Sequence, residues 1–231
     1  MIERLIQLVI EILKQLFGID NKNYNWNSTI ENGEETHNIS GTNETIEIGE
    51  QGENKVAEVL QQFNGVVLRN LYVPTNGSVS DTEIDVMLVH ETGLYVIEVK
   101  NYSGYIIGED ESINWTACYG GKGNFSFYSP VKQNEGHLRV LKRHLTGLPD
   151  YCYCSLVCFG EKATLDRVAI NSCIVTTVNE LKSVIDNEVA KRKEQGIYVN
   201  VDGVVNILKQ FENVTEERKQ RHINEINNQF R

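Results

Sequence analysis

Residues 83–100 read EIDVMLVHETGLYVIEVK, and how this stretch pairs with itself decides the fold. Two apolar runs, 82–90 and 93–100, flank a polar dipeptide, the pattern of an antiparallel hairpin. Yet Asp85, Glu98 and Lys100 lie inside the apolar runs, with Glu83 at the edge. A buried charge costs several kcal/mol unless it is paired or bound to a metal. If Glu91-Thr92 is a two-residue turn, His90 pairs with Gly93, Met87 with Val96, Asp85 with Glu98 and Glu83 with Lys100. One face is then apolar toward the turn and ionisable at the open end. Opposed Cβ atoms stand roughly 4.5–5.5 Å apart, so two carboxylates there repel unless a cation or shared proton intervenes. Mg²⁺ is the natural cation for such a pair. A three-residue turn would put Asp85 and Glu98 on opposite faces. The bland alternative is a Glu83–Lys100 ion pair with Asp85 and Glu98 fraying into solvent. The strongly apolar strand interiors weigh against it.

Outward from the hairpin, the chain alternates helix and strand. GEQGENKVAEVLQQF (49–63) has Val56, Val59, Leu60 and Phe63 at helical spacing, ended by Gly65. Strands are expected over 66–73, 82–90 and 93–100, with more β structure over 104–118. The loop YGGKGN lacks the phosphate-loop pattern. A helix over 130–146 starts at Pro130, a favoured first-turn residue, with Leu138, Leu141 and Leu145 as its core stripe. Strands near 152–159 and 170–176 follow, then helices near 179–193, 201–212 and 215–229. This order predicts an α/β sandwich around one mixed sheet.

Four segments organise the chain. Residues 1–18 form an amphipathic helix whose charges fall in a narrow stripe. Its wide aliphatic face is expected to pack on its own domain, in a homo-oligomer or on a partner protein, with a membrane surface as second choice. It is too short and too regularly charged for a membrane span. Residues 19–46, rich in Asn, Glu and Thr with Trp26 as the one large anchor, read as a polar linker. The core domain is placed at 47–176 and a helical extension at 177–231.

The 231 residues carry a net charge of −10, which argues against broad nucleic-acid coating but not against a local basic groove. Cys152, Cys154 and Cys158 share parity on a strand and lack the fourth ligand that a zinc site needs. Reduced core cysteines point to a cytoplasmic protein.

Asp85, followed on the next strand by Glu98-Val99-Lys100, resembles the D…(D/E)-x-K signature of the PD-(D/E)xK nucleases, with Ile84 in place of the proline. GEQGE (49–53), EIDVMLV (83–89), GLYVIEVKNYSG (93–104) and PVKQNEGHLRVL (130–141) together resemble the nuclease-related domain, or NERD, family over roughly residues 47–160. The resemblance implies a restriction-endonuclease-like mixed central sheet flanked by helices. It implies phosphodiester hydrolysis with Mg²⁺, or Mn²⁺ in its place, on nucleic acid, DNA being preferred. Asp85 and Glu98 would ligate the metal, with the Val99 carbonyl as a further ligand. Glu53 would complete the shell or orient a bound water. Lys100 would orient the attacking water or stabilise charge on the phosphate, and Gln133 would help position either. Glu50 is a weaker candidate. His137, one turn beyond Gln133, has two readings, facing the same cleft or standing at the solvent-exposed surface, of which the second is preferred. Lys132, Arg139, Lys142 and Arg143 give one helix a basic bias suited to a nucleic-acid backbone. Tyr102 and Trp115 are candidates for stacking on bases, although a strand tryptophan belongs by default in a core. The rival reading is a weakly catalytic module that binds nucleic acid or a partner, organised by the N-terminal helix.

Overall fold

A computed structural model describes residues 40–75, 81–120 and 123–212, with a few positions between 214 and 221. The helix expected over 1–18, residues 19–39 with Trp26, and most of the helix expected over 215–229 lie outside the described residues. In chain order the elements are α1 (Ser40–Leu60), β1 (Gly65–Pro74), β2 (Asp81–His90), β3 (Gly93–Lys100), β4 (Gly104–Glu109), β5 (Asn114–Cys118) and β6 (Asn124–Tyr128). Then come α2 (Pro130–His144), a short 3₁₀ turn (Asp150–Cys152), β7 (Tyr153–Phe159), β8 (Ala163–Ala169), β9 (Ile174–Thr177), α3 (Val178–Glu194) and α4 (Val201–Leu208).

The central sheet has the order β1-β2-β3-β7-β9. β1, β2 and β3 run antiparallel, and β3, β7 and β9 run parallel. Both faces are covered, so its inner strands are apolar on both sides. On one face Met87, Val89, Leu94 and Val96 pack with Val140 and Leu141 of α2 and Val204 and Val205 of α4. On the other, Leu88, Tyr95 and Ile97 pack with Val56 and Leu60 of α1 and Leu181 and Ile185 of α3. This is the helix-flanked mixed sheet of a nuclease-like fold.

The expectation of one sheet falls short. A second, four-stranded sheet of order β6-β5-β4-β8 stands beside the first. Trp115 and Phe127 of this sheet meet Phe159 of β7 in a third core cluster. Gly104 at φ 80 takes the chain out of the line of β3 and into the second sheet. β6 and β8 escaped the sequence reading because NFSFY is short and ATLDRVA has no fully buried residue. α1 also begins at Ser40, well inside the segment read as a linker. Polarity alone does not forbid a helix that continues from a packed half at Val56, Ala57 and Leu60.

α2 starts where Pro130 suggested. The Ser129 side chain accepts the Lys132 backbone N–H, capping the first turn ahead of Pro130. Of the cysteines, Cys154 and Cys158 share a strand face, whereas Cys152 precedes the strand and joins the opposite cluster. All five are free thiols.

Candidate active site

The hairpin register is the one that a two-residue turn dictates. His90 pairs with Gly93, Val89 with Leu94, Met87 with Val96 and Val86 with Ile97. There the ladder stops. β3 continues beside β7 as far as Lys100 and Phe159, while β2 continues beside β1 as far as Asp81 and Pro74. The two strands therefore fork just past Val86, and Asp85 and Glu98 stand at the crotch.

Asp85 is released from both neighbours. The β1–β2 ladder skips Asp85 and its would-be partner Asn70, which adopts φ 48. A non-glycine residue in that region is uncommon, and asparagine is among the few that tolerate it. The side-chain alternation changes phase at this point. Ile84 and Met87 both join the cluster under α2, as do Leu68 and Leu71, although each pair is an odd number of residues apart. With its backbone unladdered, Asp85 uses its side chain instead: Oδ2 accepts the Val99 N–H at 2.8 Å. Val99, expected to offer a carbonyl to a metal, here spends its N–H on Asp85.

Glu98 is 1% exposed, so it does not fray into solvent. Lys100 Nζ donates to Glu98 Oε1 at 2.6 Å and to Gln133 Oε1 at 3.1 Å. The Glu83–Lys100 cross-strand pair is not formed, because β2 has already turned toward β1, where Glu83 stands opposite Tyr72. His137 is buried rather than solvent-exposed. Its Nε2 lies 3.0 Å from Glu98 Oε2 and its Nδ1 lies 2.7 Å from Thr82 Oγ1. Asn134, also on the buried stripe of α2, donates to the Val96 and Leu156 carbonyls and anchors the helix to β3 and β7. Sequence reading missed both roles. The available signal was polar residues at positions 134 and 137, interleaved with Val131, Leu138 and Leu141.

From the other face of the sheet, α1 brings Glu53. The motif GEQGE serves close approach: a Cβ on Gly52 would lie 2.9 Å from Cβ of Asn101, which follows Lys100. Glu53 Oε2 is buried without a hydrogen-bond partner, its nearest cation being Arg69 at 3.7 Å. Glu50 is exposed on the same helix.

The electrostatics follow from burial and like charge. Burial, then Glu83, pushes Glu53 up to about 7 against the pull of Arg69, with Glu50 and Glu98 adding to the rise. Burial and the Glu98 carboxylate push Asp85 well above the usual carboxylate range, although Lys100 opposes them. Burial also opposes ionisation of Glu98, but Lys100 and the His137 hydrogen bond outweigh it and hold Glu98 below its ordinary value. Lys100 is held charged: burial disfavours the ammonium, but Glu98, Tyr102 and Asp85 more than compensate.

Residues 48–160 match the nuclease-related domain family. This chain carries a nuclease-related domain. The match runs from within α1 to just past β7, so it contains every side chain described at the fork and none of β9, α3 or α4. The chain is also 34% identical over 128 residues to an uncharacterized protein of Bacillus anthracis, covering 54% of this chain and 58% of the relative's length. No solved structure matches it significantly.

Within the nuclease-related domain the expected site residues divide. Glu53, Asp85, Glu98, Lys100 and Gln133 converge on the fork. Tyr102 and Trp115 do not stack on anything from outside. Tyr102 is buried between Phe125 and Phe127, at ring-centroid distances of 5.7 and 4.6 Å, and Trp115 stacks on Phe159. Neither leaves a ring face for a base. Arg139 and Arg143 are exposed on α2, and Lys132 is half-buried in its first turn. Among the described residues no helix is long and apolar enough to cross a membrane.

Proposed function

We propose that this nuclease-related domain is a Mg²⁺-dependent nuclease that hydrolyses phosphodiester bonds, with DNA as the preferred substrate. The observation that carries the reading is the convergence of Asp85, Glu98 and Lys100 at the β2–β3 fork, flanked by Glu53 from one helix and Gln133 from another.

The residues fit a hard divalent cation. Among the described residues no three His, Cys, Asp or Glu side chains form a ready-made metal cluster. Mg²⁺ does not demand one, since it typically takes one or two carboxylates, keeps several waters and uses substrate phosphate oxygens. Asp85 and Glu98 supply two carboxylates that repel each other, and Glu53 Oε2 is a buried oxygen lacking a donor. A positive ion would relieve both. When bound, Mg²⁺ polarises the scissile phosphate and acidifies a water. Asp85 and Glu98 would hold it, with Glu53 binding directly or through a water. Lys100, kept charged and oriented by Glu98 and Gln133, faces negative charge developing on the phosphate. Arg139 and Arg143 would meet the nucleic-acid backbone outside the fork.

The test is cleavage of single- and double-stranded DNA and RNA with Mg²⁺ or Mn²⁺. Wild type is expected to cut, whereas Lys100→Ala and Asp85→Asn fall by roughly 10²–10³-fold or more. Equal cleavage by all three proteins would refute the assignment. Nucleic-acid binding without cleavage by any of them would favour a binding module.

A further inference from the structure

We infer that His137 is a positioning residue for Glu98, itself held by Thr82, and that this buried relay sets the affinity of the fork for a divalent cation. The inference rests on the metal-site reading above and adds two residues to it.

The donor arithmetic fixes the direction of the His137–Glu98 hydrogen bond. Glu98 is an ionised carboxylate and can only accept. His137 Nε2 must therefore carry the proton shared with Oε2 at 3.0 Å. On the other side of the ring, Nδ1 shares a hydrogen bond with the Thr82 hydroxyl at 2.7 Å. Thr82 thereby holds the ring in the orientation that reaches Glu98. The ring is 5% exposed, so water cannot easily substitute for either partner.

The relay also spans the fork. Thr82 belongs to β2 beyond the point where it leaves β3, Glu98 belongs to β3, and His137 comes from α2 across both. Glu98 is gripped at both oxygens, by Lys100 at Oε1 and by His137 at Oε2. Lys100 has work to do on the phosphate, and its contact is the one that must loosen during a reaction. His137 has no such duty in the proposed chemistry. Its hydrogen bond is the fixed half of the grip, and it keeps the carboxylate plane from swinging when Lys100 moves. Hydrogen-bond partners of ligating carboxylates typically change metal affinity 10–100-fold when removed.

The experiment is titration calorimetry of the full-length protein with Mn²⁺ alone, in the absence of nucleic acid, with thermal melts to verify folding. His137→Ala should weaken Mn²⁺ binding roughly 10–100-fold. His137→Gln, whose amide can still donate to Glu98, should recover most of the loss. Thr82→Val, which keeps the shape and removes the hydroxyl, should weaken binding by several-fold. A merely structural role would move melting temperature without this rescue pattern. Wild-type Mn²⁺ affinity in folded His137→Ala, or in folded Thr82→Val, overturns the relay while leaving the metal site standing. Failure of the wild-type protein to bind Mn²⁺ overturns both.

Discussion

The two ends of one hairpin carry buried polar clusters of opposite character. At the turn end His90 Nδ1 meets the Thr92 hydroxyl at 2.8 Å, and that hydroxyl also bonds Tyr95 Oη at 2.8 Å. Arg192 of α3 donates to the Thr92, Tyr151 and Tyr153 carbonyls and lies over the Tyr95 ring. Gly93, at φ 151, has no side chain to collide with that guanidinium. Every one of these side chains has a partner, and only one carries a full charge. At the open end three carboxylates and a lysine crowd together, two of the carboxyls are pushed upward, and Glu53 Oε2 has no donor. A satisfied buried network specifies a fold, whereas an incompletely satisfied one is a place where something else binds.

Substitutions should separate the two ends. The largest stability effect belongs to Lys100→Ala, which leaves Glu98 and Asp85 facing each other without their shared cation. Denaturant melts should show a loss of roughly 3–5 kcal/mol, partly restored by Mg²⁺. Asp85→Asn should do the reverse in metal-free buffer: it removes a repelling charge, so the melting temperature holds or rises even as cleavage is lost. A clear destabilisation by Asp85→Asn would break the comparison.

Arg192→Ala comes next. It strands three carbonyls at the turn end, and about 3 kcal/mol should disappear from chemical denaturation. Mn²⁺ affinity, read by calorimetry, should be unchanged, because the carboxylates proposed to hold the metal lie at the other end of the hairpin.

Acid–base linkage gives a smaller effect. Folding raises Glu53 from 4.5 to about 7, so folding favours the protonated form. The stabilisation is complete below pH about 4.5 and is lost as pH rises toward 7. Metal-free protein should lose about 2 kcal/mol over that interval, after discounting for the partial exposure of Glu53. Glu53→Gln should flatten that part of the pH–stability curve, and saturating Mg²⁺ should shrink the loss. The smallest change is Tyr95→Phe, about 1 kcal/mol from a single hydroxyl at the turn end, with metal binding untouched.

Much of this site was legible because strand parity is a rigid rule. Once Glu91-Thr92 is a two-residue turn, Met87 pairs with Val96 and Val86 with Ile97, so Asp85 and Glu98 both follow the last rung of the ladder. The pairing of Glu83 with Lys100 followed from the same rule and failed. Parity holds only while the ladder lasts, and this ladder ends at Val86 and Ile97.

The sequence by itself determined the run of elements from α1 to β3, the start of α2, the turn, the register and the residue types that make a metal-dependent nuclease site conceivable. Those are local properties, set by period, turn chemistry and the energetic cost of a misplaced charge. Only the tertiary structure decided that β2 leaves β3 at Asp85, that His137 and Thr82 reach Glu98, that Tyr102 is enclosed by Phe125 and Phe127, and that a second sheet stands beside the first. These depend on which of two neighbours a strand follows and on which face of a helix meets the sheet. Both choices are settled by packing over the whole molecule, where residues far apart in the chain compete for the same buried space.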